Sequence, residues 1–258
     1  MGLAMIEGRK QRISDAFGAA ADHYDDHAEP QRRAAARIAH MAESLGPAGR
    51  ILEIGCGTGL LTRRIALLWP EAELIATDLS RAMVDIAAAR IGGMATFQTM
   101  DGEWPQGQGA SIDLILSNLA FQWFADIPGA VGRLMALLRP GGRIVFSTMG
   151  QGSLRNWRNA HMACGFTSGV PDYPSIGAMR DMLAPFGTVY LIEERVPLER
   201  QGALALIEHL RGIGAVVPGE GHRPLGAKAL RQVMAAFDRA GGADDYVIQF
   251  AQVTKADA

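Results

Sequence analysis

Residues 51–68 read ILEIGCGTGLLTRRIALL, and this stretch decides the fold. Ile51–Ile54 has the length and apolar character of a buried strand, broken only by Glu53. It runs into Gly55-Cys56-Gly57-Thr58-Gly59 and then directly into a helix-patterned stretch from Leu60 to Leu68. Glycines at such a turn permit unusual backbone angles and let a ligand approach the main chain closely. The spacing is not that of a dinucleotide site, G-x-G-x-x-G, because Leu60 stands where the third glycine belongs. Glu53 lies two residues before the first glycine, where it would repel a pyrophosphate and attract an ammonium or sulfonium group. The ligand expected here is a cationic nucleotide.

Working outward, short apolar runs alternate with amphipathic stretches from Arg50 to Thr148, the pattern of βα units that build a parallel sheet covered by helices on both faces. Strands are expected at Ile51–Ile54, Glu73–Thr77, Thr96–Thr99, Ile112–Ser117 and Arg143–Thr148. Helices are expected at Leu60–Leu68, Arg81–Ile91 and Pro128–Leu138, with Pro140-Gly141-Gly142 ending the last of these and turning the chain into a strand. Upstream, residues 9–45 read as two helical stretches, around Ala16–Ala21 and Gln31–Leu45. His23, Tyr24, Asp25 and Asp26 interrupt them, and Gly46-Pro47 closes the pair. Downstream, helices near Ser153–Cys164 and Ile176–Ala184 precede a strand at Thr188–Pro197. Helices at Leu204–Arg211 and Ala227–Ala240 flank an irregular Gly/Pro-rich loop over 212–226, and Tyr246–Val253 alternates as a last strand. One domain over 1–258 is expected, with a helical lid (1–47), a cofactor-binding core (48–150) and a substrate-side insertion with closing strands (151–258).

Composition narrows the function. The chain has 258 residues, 48% hydrophobic and 20% charged, which excludes a disordered or fibrous protein. Its 25 basic and 27 acidic residues give a net charge of −2, so no overall positive field holds nucleic acid or anionic lipid. No apolar run approaches the ~20 residues needed to span a bilayer, and a cytoplasmic location is expected. Cys56 and Cys164 suggest neither a disulfide framework nor a paired zinc site, and the six histidines show no ligand spacing, so no metal is expected.

The remaining polar clusters follow predicted strands: Asp78 after the second, Asp101-Gly102-Glu103 after the third, Ser117-Asn118 after the fourth. The C-terminal edge of an open α/β sheet is where ligands bind, and an acidic residue about 20 positions past the glycines reaches ribose hydroxyls. Asp78 can accept both.

Glu53, Gly55, Gly57 and Gly59 fill the pattern acidic-x-G-x-G-x-G, and with Asp78 and Asp101 they resemble the class I S-adenosylmethionine-dependent methyltransferases. The resemblance implies an α/β, Rossmann-like fold with a seven-stranded, mostly parallel sheet whose last strand is antiparallel. It implies S-adenosyl-L-methionine as cofactor and S-adenosyl-L-homocysteine as product. Asp78 would hold the ribose, Leu79 and Met83 would flank the adenine, Asp101 would receive the adenine amino group, and Asn118 would lie beside the methionine moiety. Tyr24, Gln31, Cys56, Gly102, Glu103 and Leu119 complete the expected cofactor contacts.

A closer resemblance covers nearly the whole chain. FGAAADHYDDHAEPQ (17–31), SNLAFQW (117–123), FSTMGQGSL (146–154) and LRGIGA (210–215) are similar to the malonyl-[acyl-carrier-protein] O-methyltransferases of biotin synthesis. That family implies esterification of the free carboxyl of a malonyl thioester on acyl carrier protein or coenzyme A. Another small carboxylic acid as acceptor, or a non-catalytic assembly factor with the same fold, are the alternatives. A nucleic-acid acceptor is disfavoured because Ser117-Asn118-Leu119-Ala120 lacks the Asn/Asp-Pro-Pro-aromatic sequence typical of amino-methylating nucleic-acid enzymes.

A malonyl carboxyl, with a pKa of roughly 4, is already ionised at pH 7, so no general base is nominated. Tyr24 and Trp123 are expected as walls over the cofactor, and Arg211 as a fork that orients the substrate carboxylate, with Arg155, Arg158 and Arg195 in reserve. Arg32-Arg33-Arg37 and Arg155-Arg158 offer basic faces to an acidic carrier protein.

Overall fold

The strand of residues 50–54 lies inside the sheet, third in an order of seven. In the computed structural model, which describes residues 3–107, 109–219 and 221–256, β1 (Arg50–Ile54) pairs in parallel with β2 (Glu73–Asp78) on one side and β4 (Ile112–Asn118) on the other. Beyond β2 lies β3 (Thr96–Thr99). Beyond β4 come β5 (Leu138–Met149), then β7 (Asp245–Thr254), then β6 (Thr188–Pro197) at the edge. β7 is antiparallel to both neighbours and every other pairing is parallel, as the resemblance implies. The strand order reverses between β1 and β4, and their carboxyl ends open the crevice where such sheets bind ligands.

The helices fall on two faces because the strands carry apolar residues on both. Ile51, Leu114, Leu116, Val145, Ile248 and Phe250 pack against α3 (Glu29–Glu43), α4 (Leu60–Leu68), α7 (Arg155–Ala163) and α10 (Ala227–Arg239). On the other face Leu52, Ile54, Ile115, Ile144 and Phe146 meet α6 (Ile127–Leu137) and α8 (Ile176–Leu183). α5 (Arg81–Ile91) covers β2 and β3, and α9 (Ala203–Gly212) follows β6. Among the described residues no helix is long and apolar enough to cross a membrane.

Two expectations need correction. Pro140-Gly141-Gly142 does not separate α6 from a strand beginning at Arg143. α6 ends at Leu137, and Leu138, fully buried, already pairs with Ile112; the Pro-Gly-Gly sequence sits inside β5 where the register jumps to Leu114 opposite Arg143. Burial of Leu138 sets where the strand begins, and the glycines serve the excursion within it, Gly141 at φ 71°. Upstream, α1 spans Leu3–Ala20, longer than expected, and Tyr24–His27 is itself a turn of helix, α2, so the interruptions are residues 21–23 and Ala28. Asp25 and Asp26 in its first turn suit a helix N-terminus. The Asp25 side chain is also held from outside, accepting from the Thr58 hydroxyl at 2.6 Å and from Arg90 at 2.7 Å.

Candidate active site

The turn after β1 takes its shape from three glycines in the left-handed region, Gly55 (φ 72°), Gly57 (φ 54°) and Gly59 (φ 92°). A Cβ on Gly55 would lie 2.5 Å from that of Ala120, so the glycine lets the loops after β1 and β4 close on each other. Gly59 faces away from the crevice: its absent Cβ makes room for Ile91 of α5. A Cβ on Gly57 would meet nothing within 4 Å, because it looks into open space beside the crevice.

Asp78 holds this loop. One carboxylate oxygen accepts from the Gly57 N–H at 2.9 Å and the other from the Ser80 N–H at 2.8 Å. Burial raises its pKa, and the N–H groups of Ser80, Gly57 and Leu79 oppose the rise. The carboxylate still has acceptor capacity left for a ligand hydroxyl. Glu53 lies beneath the loop, 1% exposed and facing Thr62; burial, reinforced by the nearby Asp78 charge, pushes its pKa up to about 7 although Thr62 counters part of the rise. Cys56 is buried, and desolvation first, then Asp78 and Glu53, push its thiol up and leave it unreactive.

One pocket gathers most of the expected contacts at the strand ends. β1 contributes Gly55 and Gly57; β2 contributes Asp78 and Leu79, with Met83 a turn later; β3 contributes Asp101, Gly102 and Glu103; β4 contributes Asn118 and Leu119. Glu53, Cys56, Gly59 and Gln31 do not line it. The first three lie under or behind the loop, and Gln31 reaches the site through its backbone carbonyl, which accepts from Asn118 Nδ2 at 3.0 Å. Leu119 is held at φ 52°, a costly angle for a branched side chain, with its N–H on the Ser147 carbonyl and hydroxyl.

α1, within the segment expected as a helical lid, roofs the pocket with Lys10, Ile13, Ser14 and Phe17, none of which the sequence singles out. Lys10 Nζ lies 2.5 Å from Asp101 and 2.6 Å from Glu103, so Asp101, expected to receive an adenine amino group, is paired with a protein cation. Glu103 is structural as well: its other oxygen accepts the N–H groups of Ala125 and Asp126. Arg9 donates to the Trp123 carbonyl at 3.0 Å, and Phe17 meets the Trp123 ring edge to face at 5.4 Å.

Phe17, Tyr24, Leu119 and Trp123 also line a second cavity, of about 440 Å3, on their far side. Tyr24 therefore stands at the junction of the two, and burial, then the charges of Asp78 and Asp25, keeps its phenol protonated. Arg211, at the end of α9, lines the second cavity, and among the described residues it makes no ion pair with an acid. The reserve arginines are engaged or absent from it: Arg158 pairs with Asp172, Arg195 pairs with Asp245, and Arg155 lies outside.

Against known proteins, residues 24–238 match a family described as a methyltransferase domain. The chain is 41% identical over 94% of its length to the biotin biosynthesis bifunctional protein BioCD of Bordetella avium, of which it spans about half, 52%. It is 33% identical to the malonyl-[acyl-carrier protein] O-methyltransferase of Magnetococcus marinus, covering 88% of this chain and 86% of that one. The chain belongs to the malonyl-[acyl-carrier protein] O-methyltransferase family. Its fold is shared with the YcgJ protein of Bacillus subtilis (TM-score 0.60, 17% identity, 86% of this chain and 98% of that one). It is shared too with the N-methyltransferase NodS of Bradyrhizobium japonicum in complex with S-adenosyl-L-homocysteine (TM-score 0.52, 16% identity, 87% and 86%).

As a member of this methyltransferase family, the protein is an enzyme that uses S-adenosyl-L-methionine. The residues present fit that group. Gly57 leaves open the space a side chain would fill, and the half-buried Asp78, with the buried Glu53 once ionised, supplies the negative field a sulfonium and an ammonium require.

Proposed function

We propose that the protein methylates the free carboxylate of a malonyl thioester carried on acyl carrier protein, forming the methyl ester used in biotin synthesis. The observation that carries this reading is the shared wall of Phe17, Tyr24, Leu119 and Trp123. On one side lies a pocket with carboxylates for a cationic nucleotide, and on the other a larger cavity lined by the Arg211 guanidinium for an anionic acceptor. Relatives that bear the name malonyl-[acyl-carrier protein] O-methyltransferase over most of their length support the choice of acceptor.

When bound, S-adenosylmethionine supplies an electrophilic methyl on a sulfonium. The chain's own work is orientation and exclusion of water. The Gly55–Gly59 loop and Asp78 hold the nucleoside, with Asp78 taking the ribose hydroxyls on the acceptor capacity left by Gly57 and Ser80. Leu79 and Met83 bound the adenine space, and α1 shields it. Arg211 would hold the acceptor carboxylate in its planar fork and turn it toward the cofactor pocket. No side chain takes a proton, because a carboxyl with a pKa of roughly 4 arrives ionised. Tyr24 and Trp123 keep water from solvating that anion.

The test supplies labelled cofactor together with malonyl-carrier protein, malonyl-coenzyme A or free malonate, and measures product mass. The carrier-borne acceptor is expected to gain one methyl most efficiently. Label on none of the three would overturn the reading.

A further inference from the structure

The second cavity has mostly apolar walls, and several of its polar atoms carry no charge. Tyr246, on β7, is 3% exposed, and its phenol end lies near those of Tyr173 and Tyr24. Its oxygen is 2.8 Å from His209 Nε2 on α9, while the ring also faces the His27 backbone carbonyl on α2. A carbonyl only accepts, and a neutral imidazole has one N–H. In the tautomer with the ring proton on Nδ1, turned toward His27, Nε2 accepts the Tyr246 hydroxyl proton. Burial keeps His209 neutral, with its pKa down to about 4, and Tyr246 stays protonated because burial pushes its pKa up.

This arrangement fixes what Tyr246 offers a ligand. Its only proton is directed at His209, so toward the cavity the oxygen presents lone pairs. Gln31 adds a second acceptor: it is 6% exposed, lines the same cavity, and its Oε1 has no hydrogen-bond partner. A carboxylate cannot satisfy either atom, because it too only accepts. A neutral N–H on an otherwise apolar chain can.

We propose that Tyr246, oriented by His209, accepts a hydrogen bond from an amide N–H on the arm that bears the acceptor's thioester, with Gln31 offering a second acceptor on the same cavity wall. This rests on the malonyl-thioester reading above and adds to it the part of the acceptor that the cavity reads. An amide-bearing thiol arm is common to carrier protein and coenzyme A, so the contact selects the arm and not its bearer. His209 is a positioning residue and touches no substrate.

The test compares the malonyl thioester of N-acetylcysteamine, which has one amide, with that of a plain alkyl thiol of equal length. The wild-type protein is expected to prefer the amide-bearing thioester by about tenfold in kcat/KM, through KM, the worth of one well-made hydrogen bond. Tyr246→Phe should bring that ratio to about one. Because a partly unfolded variant loses both substrates alike, the ratio is insensitive to stability. His209→Leu, which frees the phenol proton to point either way, should lower the ratio by about twofold at unchanged kcat on the alkyl thioester. On malonyl-carrier protein and malonyl-coenzyme A, Tyr246→Phe should raise KM equally; a rise confined to one of them, a ratio that survives Tyr246→Phe, or a wild-type protein without preference overturns the amide contact alone. A wild-type protein inactive on every malonyl thioester removes the acceptor reading and this inference with it.

Discussion

The two cavities that meet at Tyr24 are built from different material. The cofactor pocket is made largely where strands end: main-chain N–H groups, glycines and short carboxylates whose places are set by the ladder of β1–β4. The second cavity is walled by side chains from α7, α9, α10 and the segment after α9, elements that follow no shared repeat. In the first, a change to one carboxylate disturbs the backbone itself. In the second, a change to one side chain alters what the wall can say to a ligand and little else. Four substitutions or measurements sharpen or break this contrast.

The largest effect is expected at Asp78. Asp78→Ala removes the ribose acceptor and also the anchor of the Gly57 and Ser80 N–H groups, and cofactor affinity should fall by about 3 kcal/mol, roughly a hundredfold, in calorimetry. Asp78→Asn should fall between. Next is Gly55→Ala, which places a methyl against Ala120 at a left-handed φ; a loss of about 1–3 kcal/mol of stability is expected in denaturant unfolding. An unchanged midpoint would mean that the β1 and β4 loops are not in contact as described.

Arg211→Ala belongs to the other side of the contrast. It should lower kcat/KM for the acceptor by about 1–2 kcal/mol while leaving cofactor affinity unchanged, since Arg211 lines only the second cavity. Lysine should rescue partially, restoring charge without the fork. Wild-type efficiency in the alanine variant would show that Arg211 orients nothing.

The smallest expected effect concerns Glu53. Its folded-state pKa is raised, so the proton is held more tightly in the folded protein than in the unfolded chain. Its contribution to stability is therefore favourable at low pH and declines as pH rises from the ordinary carboxyl range toward about 7. A cationic cofactor favours the ionised form, so affinity should increase a few-fold from pH 5 to pH 7, with protons released on binding. Glu53→Gln should flatten that slope; calorimetry in buffers of different ionisation enthalpy measures it.

The same contrast explains what the sequence made legible. Leu60–Leu68 and Arg81–Ile91 are where periodicity places them, because each buries one continuous face; Thr188–Pro197 is a strand as expected although it buries only Leu191 and Val196, and the acids after β2 and β3 reach the crevice because strand ends converge there. α1 was underestimated because much of its inner face packs over ligand space and loops, which leaves no clean apolar stripe. Nothing local joins Lys10 to Asp101 and Glu103, or His209 to Tyr246. Those pairs exist only once β-strands far apart in the chain have been brought side by side. Arg211, by contrast, was suggested by its place before a Gly-rich turn, and the cavity it lines gives that suggestion a location.

The place of β7 has a consequence for how the protein is made. It is the last of the seven strands in sequence, yet it lies inside the sheet, between β5 and β6. While the chain is being synthesised, β1 to β5 can pair as they emerge, but β6 has no neighbour until β7 arrives. A ribosome-bound chain ending near residue 240 thus carries a bare β5 edge and an orphan strand, two surfaces that invite pairing with other chains. The missing segment also carries Tyr246. Such an intermediate can complete the strand ends that hold the nucleotide while the wall that reads the acceptor is still absent, so competence for the two ligands arises at different moments in the life of the polypeptide.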